Sequence, residues 1–403
     1  MAQQPFLSVA DARARILSSL PVTEVESVPL SQAFGRVLAE EAIARRTQPP
    51  ADLSAMDGYA VKAADTASVP ARLRIAGEAP AGGAYEQELK TGEAVRIFTG
   101  APLPRGADTI VIQEDTERDG AFVIIKEAAK GGQHVRLTGL DFRTGDAGLT
   151  SGQRLAPADI ALAAAMNLAT LNVHRRPVIA FFSTGNELVP PGAEPGPNQI
   201  VSANNDGLAA IILEAGGTPL DLGIVADDEG AIRAAAEQAF GADMLVTLGG
   251  ASVGDHDLVQ SALAPAGLDI DFWKIAMRPG KPLMYGRLGR TPMLGLPGNP
   301  VSALICAELF LKPAIARLQG GDTTLRTALA RLGSALPANG AREDYMRAML
   351  DHIQGELPVA TPVAIQDSSM LSVLARAGCL IIRAPHAPEA KAGEIVTVLP
   401  LRP

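Results

Sequence analysis

The stretch 177–318 constrains this chain most, because apolar runs of strand length alternate there with helical segments. Val178 to Ser183 is nearly unbroken in apolar residues. Asp206 to Ala215 reads as a helix ending at Gly216 and Gly217, and Pro219 to Val225 as the next strand. Glu229 to Phe240 is helical, Met244 to Leu248 apolar again, and Asp271 to Met277 and Leu283 to Tyr285 continue the strands. A strand apolar at successive positions must be buried on both faces, and the strand–helix rhythm covers both by laying helices on either side of a parallel sheet. The expected fold is therefore α/β with a doubly wound parallel sheet. Asn299 and Pro300 open a long last helix, with Asn at the N-cap and Pro at the first helical position, and Gly320-Gly321 marks a boundary.

The flanking segments have another texture. Ser8 to Leu20 predicts a helix: Ser8 and Asp11 have capping-box-like spacing, Val9, Ile16, Leu17 and Leu20 mark one face, and Pro21 stops it. From about Leu73 to Leu155, short runs such as Ala94 to Phe98, Thr109 to Gln113 and Phe122 to Lys126 lie between Gly, Pro and Asp clusters and predict a β-rich module. A helix follows at Pro157 to Leu168. In the tail, Asp344 to Leu350 and Glu394 to Leu399 read as strands and Met370 to Ala375 as a short helix. At about 150 residues per domain, several domains are expected.

Composition narrows the function. The net charge is −9, which argues against nucleic acid and membrane surfaces as partners, since either needs a broad basic face. Cys306 and Cys379 are the two cysteines, too few for a disulfide framework or a Cys-based zinc cluster. No targeting or membrane-spanning segment is legible, so a cytoplasmic location is expected.

The sequence has no GxxxxGK[ST], no GxGxxG after a strand, no GxSxG and no HExxH, which removes support for ATP-loop, dinucleotide and serine-hydrolase chemistry. The strongest local signal is Thr247-Leu-Gly-Gly-Ala-Ser-Val-Gly-Asp-His-Asp257, with glycines directly after an apolar strand, where successive backbone N–H groups can cradle an oxyanion. Ser183-Thr-Gly-Asn-Glu187 and Ala226-Asp-Asp228 follow two other strands of the same sheet. Carboxylates converging there would repel by roughly 4 kcal/mol per pair at about 4 Å and an effective dielectric near 20, and a bound cation would offset that. Oxygen ligands without His or Cys point to Mg2+. Asp227, Asp228 and Asp255 also suit helix caps. Trp273-Lys-Ile-Ala-Met-Arg-Pro-Gly-Lys-Pro282 holds Lys274, Arg278 and Lys281 in a proline-stiffened turn, either as an anion site or as a solvated basic turn. Leu296-Pro-Gly-Asn-Pro300 adds a further ordered turn.

Six motifs, in order along the chain, resemble the molybdopterin molybdenumtransferase family, which includes MoeA and the E domain of gephyrin. They are SAMDGYAV (Ser54 to Val61), IFTGAPLPRGADTIV (Ile97 to Val111), STGNEL (Ser183 to Leu188), GGASVGDHD (Gly249 to Asp257), RPGKP (Arg278 to Pro282) and GLPGNPVSA (Gly295 to Ala303). Arg278 departs from the Lys common in the family, keeping the charge but changing the geometry. The resemblance implies an elongated homodimer of four-domain subunits. Its parts would be a doubly wound, MoaB/MogA-like molybdopterin-binding domain (1–25 with 170–330), a linker and dimerisation domain (26–46 with 146–169), an inserted β-rich domain (47–145) and a C-terminal β-barrel-like domain (331–403).

It also implies insertion of molybdate into adenylylated molybdopterin with release of AMP, requiring Mg2+. Asp57, Thr99, Arg136 and Asp141 would face Glu187, Asp227 and Asp257 across the dimer interface. Asp57, Thr99, Glu187, Asp227 and Asp257 would be catalytic, with Glu187, Asp227 and Asp257 on the metal. Gly249, Gly250, Ser252 and Gly254 would take the phosphate and pterin, and Lys274, Arg278 and Lys281 molybdate or phosphate. Ser368 and Ser369 would reach molybdate or cap a helix. Other cofactor-biosynthesis proteins and molybdoenzyme chaperones are the implied partners. Two alternatives stand beside it: adenylylation of molybdopterin by ATP, and a gephyrin-like scaffold without catalysis.

Overall fold

The computed structural model describes residues 6–250 and 258–402. Its central sheet has six strands: β1 (Val178–Thr184), β2 (Thr218–Val225), β3 (Met244–Leu248), β4 (Leu268–Trp273), β5 (Met284–Leu288) and β6 (Thr291–Leu296), in spatial order β2-β1-β3-β6-β5-β4. Strands β2, β1, β3 and β6 run parallel. The doubly wound class holds, but the sheet is not parallel throughout, because β5 runs antiparallel to both neighbours. Only Gly289 and Arg290 join β5 to β6, and a two-residue connection permits a hairpin, not a crossover. The segment 291–296, unread as a strand in the sequence, is the fourth parallel strand.

Side-chain alternation along β1 builds a core on each face. Ile179 and Phe181 join Val9, Ala12 and Ile16 of the helix Val9–Ser19, Leu208 and Ile212 of the helix Asn204–Glu214, and the last helical run. Ala180 and Phe182 join Ile232 and Ala235 of the helix Glu229–Gln238 and Val259 and Ala262 of the helix Leu258–Leu263. The first helix starts as its spacing requires, with the Ser8 hydroxyl accepting the Asp11 N–H at 3.0 Å.

The long helix expected from Asn299 is interrupted. It runs Pro300–Cys306, widens into a π-helical turn at Ala307–Leu311 and continues as Lys312–Leu318. Pro313 has no N–H to return to the preceding turn and its ring crowds the carbonyl there, which accounts for the wider turn. Lys312 pairs with Glu308 at 2.8 Å and Glu214 at 2.9 Å across it.

Four further cores lie outside the central sheet among the described residues, two of them on the inserted module. One gathers Val28, Leu38, Phe142, Leu149, Met166 and Val173, where Val25–Pro29 pairs with Thr170–His174 and Ala42–Ile43 with Ala147–Leu149. Between those segments a second six-stranded sheet runs, in spatial order, Thr109–Ile112, Gly58–Val61, Glu93–Ile97, Ala71–Ala79, Phe122–Ile125 and Thr116–Asp119. In the tail, Ala328–Leu332, Glu343–Asp351, Val359–Pro362, Cys379–Arg383 and Ile395–Pro400 pair in a closed ring, a five-stranded barrel. Met277–Arg278 adds to it alongside Glu343–Asp344. Among the described residues no helix is long and apolar enough to cross a membrane.

Phe181 is fully buried at the centre of β1. Phe181→Ala is expected to cost about 3–5 kcal/mol, read as a lower urea midpoint for the transition of the central sheet.

Candidate functional site

The carboxyl ends of β1, β2, β3 and β6 open on one cleft of about 780 Å³, whose lining includes Thr184, Glu187, Asp227, Gly249, Gly250 and Asn299. The chain leaves β1 for β2 on one side and then crosses to β3 on the other, so this is the crevice that the strand order itself creates. The turns after β1 and β2 are tied reciprocally: the Asn186 N–H donates to Asp227 Oδ2 at 3.2 Å, and the Asp227 N–H donates to Asn186 Oδ1 at 3.1 Å. Asp228 is a cap, its Oδ1 accepting the Ala231 N–H at 2.9 Å. Glu187 and Asp227 are the two carboxylates lining the cleft among the described residues, and no group of three or more His, Cys, Asp or Glu is placed there to hold a metal.

Gly249 and Gly250 stand where a side chain has no room. Both have positive φ, +88° and +69°, and a Cβ on Gly250 would lie 2.3 Å from Val259 Cγ2. The Gly249 N–H donates to the Leu296 carbonyl at 3.1 Å, extending the β3–β6 pairing. The expected amide cradle is corrected to that extent: Gly249 offers the cleft space, not a donor. Ser252, Gly254, Asp255 and Asp257 lie outside the described residues.

The cationic turn is engaged with its surroundings. Lys274, at φ +78°, holds Nζ 4.0 Å from the Trp273 ring centroid, and Lys281 Nζ lies 5.0 Å from that of Phe6. Arg278 grips the nearly buried Asp344 of the barrel, with Nε at 3.0 Å and Nη2 on the same oxygen. Pro282 lines the cleft, whereas Lys274, Arg278 and Lys281 are not among its described lining residues.

The barrel closes another side. Ser369 lines the cleft, and its hydroxyl donates to Asp367 Oδ1 at 2.6 Å. The Ser368 carbonyl accepts the Val301 N–H at 3.2 Å, and the Ser368 hydroxyl accepts from Asn299 Nδ2 at 3.1 Å. Asn299 thus occupies the N-cap position while its side chain turns to the barrel, and Ser368 caps the helix with its backbone. Arg347, unnoticed in the sequence, holds this loop from below. It is 1% exposed, with Nε 3.2 Å from Gln366 Oε1 and Nη1 2.8 Å from the Asp367 carbonyl. An Arg within the apolar run Tyr345-Met-Arg-Ala-Met-Leu350 was the available signal, since a buried guanidinium needs partners.

The inserted module brings two expected residues together: Asp57 Oδ1 accepts both the N–H and the hydroxyl of Thr99, each at 2.7 Å. Arg136 and Asp141 are exposed on the same module, Arg136 in a strand beside Leu53–Ser54. Asp57, Thr99, Arg136 and Asp141 are not among the described residues lining the cleft of their own chain.

Comparison with known proteins follows the same division of the chain. Residues 7–167 match the family described as "MoeA N-terminal region (domain I and II)", 180–317 "Probable molybdopterin binding domain" and 329–401 "MoeA C-terminal region (domain IV)". The molybdopterin molybdenumtransferase of Haemophilus influenzae is 34% identical over 406 residues, covering 98% of either chain. That of Bacillus subtilis is 35% identical, covering 98% of this chain and 94% of its own. The crystal structure of a molybdopterin biosynthesis moea protein from Pyrococcus horikosii superposes with a TM-score of 0.83 at 31% identity, covering 99% of this chain and 100% of the other.

The two Thr99 donors hold the Asp57 carboxyl below the usual carboxylate range. A carboxyl depressed on folding adds stability above its unfolded pKa of about 3.9, and that contribution is lost as the pH falls through the lower folded value. Thr99→Ala keeps the N–H and removes the hydroxyl, so Asp57 should titrate closer to the ordinary value in a carboxyl-carbon NMR titration; an unmoved titration would remove the hydroxyl as a cause.

Proposed function

The chain belongs to the molybdopterin molybdenumtransferase family, and from that premise we propose that it inserts molybdate into adenylylated molybdopterin and releases AMP, with Mg2+ required. The observation that carries this is the cleft, where Glu187 and Asp227 stand at the carboxyl edge of a doubly wound sheet beside Gly249 and Gly250. A substrate with a phosphoanhydride and a pterin needs acids that can hold a cation against the anhydride and apolar surface for the ring, and the lining supplies Glu187 and Asp227 for the first and Leu188, Ile200 and Val201 for the second.

Mg2+ fits the donor set. It keeps several waters and takes one or two carboxylates together with substrate phosphates, which is what Glu187 and Asp227 provide; Asp257 is proposed as a further ligand. When bound, the ion neutralises charge on the anhydride oxygens. The chain's own part is positioning. Asn186 and Asp227 lock the two turns against each other, so the Asp227 carboxylate is presented without reorganisation. Gly250 and the proposed Ser252 and Gly254 border the phosphate and pterin. Lys274, Arg278 and Lys281 form a cationic rim for the dianionic molybdate, with Arg278 shared between that task and Asp344. Ser369 closes the barrel side.

Asp57 and Thr99 complete the site from a second subunit in this proposal, which makes the working form a homodimer. Together with Arg136 and Asp141 they lie on the module inserted at 47–145, in a chain we divide as 1–25 with 170–330, 26–46 with 146–169, 47–145 and 331–403. That module also weighs against the preceding adenylylation by ATP, for which a sheet domain alone provides the cleft.

Two tests separate the readings. Asp57→Ala is expected to lower molybdate-dependent AMP release by at least ~10-fold, about 1.4 kcal/mol of barrier, with an unchanged circular dichroism spectrum. Adenylylation of molybdopterin from ATP, with no AMP released when molybdate meets the adenylylated form, would transfer the assignment to the earlier step. Mixing Asp57→Ala with Asp227→Ala protein after subunit exchange should restore activity to about a quarter of wild type, because half of the dimers are then mixed and each carries one intact site. No recovery in demonstrated mixed dimers would place both residues in one subunit's site.

A further inference from the structure

Three side-chain oxygens of the cleft are buried without partners among the described residues. Thr184, Ser202 and Asn204 are 6%, 4% and 6% exposed and all line it, yet Thr184 Oγ1, Ser202 Oγ and Asn204 Oδ1 make no hydrogen bond to any described residue. The orientation of Asn204 is set, since its Nδ2 donates to the Gly298 carbonyl at 2.8 Å, which leaves Oδ1, a pure acceptor, as its unpartnered atom. Thr184 Oγ1 lies 3.3 and 3.2 Å from where a Cβ on Gly249 or Gly250 would stand, so a side chain at either position would crowd this hydroxyl. Beside them Ile200 and Val201 line the cleft with more than two-fifths of their surface exposed. Buried polar atoms are almost always satisfied in folded proteins, and of the eight described side-chain atoms that lack a partner these three belong to residues lining one cavity.

The chemistry of that ligand edge follows from Asn204. A phosphate or molybdate oxygen is an acceptor and would repel Oδ1, so the anionic end belongs elsewhere. A donor is required, N–H or O–H, and on a planar heterocycle that means an N–H. We propose that Thr184, Ser202 and Asn204 read the N–H edge of the substrate's pterin, with the ring laid against Ile200 and Val201 and the phosphate chain directed towards Glu187 and Asp227. The amino-oxo edge of a pterin offers adjacent N–H donors beside a carbonyl, which suits one fixed acceptor and two hydroxyls. Adenine offers one donor group beside a ring acceptor and matches less well. This assignment rests on molybdopterin occupying the cleft and names the residues that orient it.

The test uses the full chain and two probes titrated separately by calorimetry, 6-hydroxymethylpterin and AMP. Ser202→Ala and Thr184→Val should each weaken the pterin about 3- to 10-fold, the size of one lost hydrogen bond, while AMP affinity stays unchanged. Their thermal midpoints should stay level or rise, because the deleted hydroxyls have no partner among the described residues; a structural role would lower them. Asn204→Leu should weaken the pterin further, although it also loses the bond to Gly298. Unchanged pterin affinity in Ser202→Ala and Thr184→Val overturns the assignment, as does an AMP loss matching the pterin loss. Wild-type protein that takes up no pterin overturns the premise and the assignment together, and that titration alone tells the two failures apart.

Discussion

Two-sided burial of β1 is the constraint on which the remaining architecture rests. Ile179 and Phe181 face one core and Ala180 and Phe182 the other, all fully buried, so no polar group on the strand can serve a ligand until it ends. Hydrogen-bonding capacity is therefore displaced to the carboxyl edge, into Thr184, Asn186, Glu187, Asp227 and the glycines after β3. A ligand meets a rigid rim of turns, each anchored by a strand that cannot slip register without exposing its apolar residues.

The barrel is attached to that rim in two chemically different ways. Met277–Arg278 extends a barrel strand and Arg278 grips Asp344, which ties the end of the cationic turn to the barrel wall. Ser368 caps the helix beginning at Pro300 with its carbonyl, and Arg347 holds the loop that carries it. The first attachment is ionic and partly exposed. The second is a buried guanidinium with carbonyl and amide acceptors, worth more per bond in the low-dielectric interior.

How much of this was legible in the sequence follows from which interactions are local. The strands β1, β2 and β3, the helix Val9–Ser19 with its Ser8 cap, and the placement of polar turns after strands depend on periodicity and nearest neighbours. β6 escaped because Pro292 and Gly295 break its pattern, although its pairing with β3 protects it. The π-helical turn had a visible cause in Pro313. Arg347 was marked by its place in an apolar run, but its partners were not, since Gln366 and Asp367 lie in the loop after the neighbouring strand, about twenty residues on. The pairing of Asp57 with Thr99 spans the fold of the inserted sheet, and the family motifs marked both residues without showing the bond. Unpartnered atoms such as Asn204 Oδ1 are illegible in principle: burial and the lack of a donor are properties of the assembled cleft, not of the residue type.

The cap on the helix at Pro300 makes barrel docking and cleft geometry a single thermodynamic quantity. Asn299, whose neighbour Gly298 receives Asn204, also donates to the barrel's Ser368, so one short turn is held from the cleft side and the barrel side at once. Any ligand that tightens this turn must stabilise the barrel's seat by the same free energy with which barrel docking favours the ligand. The seat of the C-terminal barrel and the rim of the cleft thus share one short turn, and neither can shift without moving the other's hydrogen bonds.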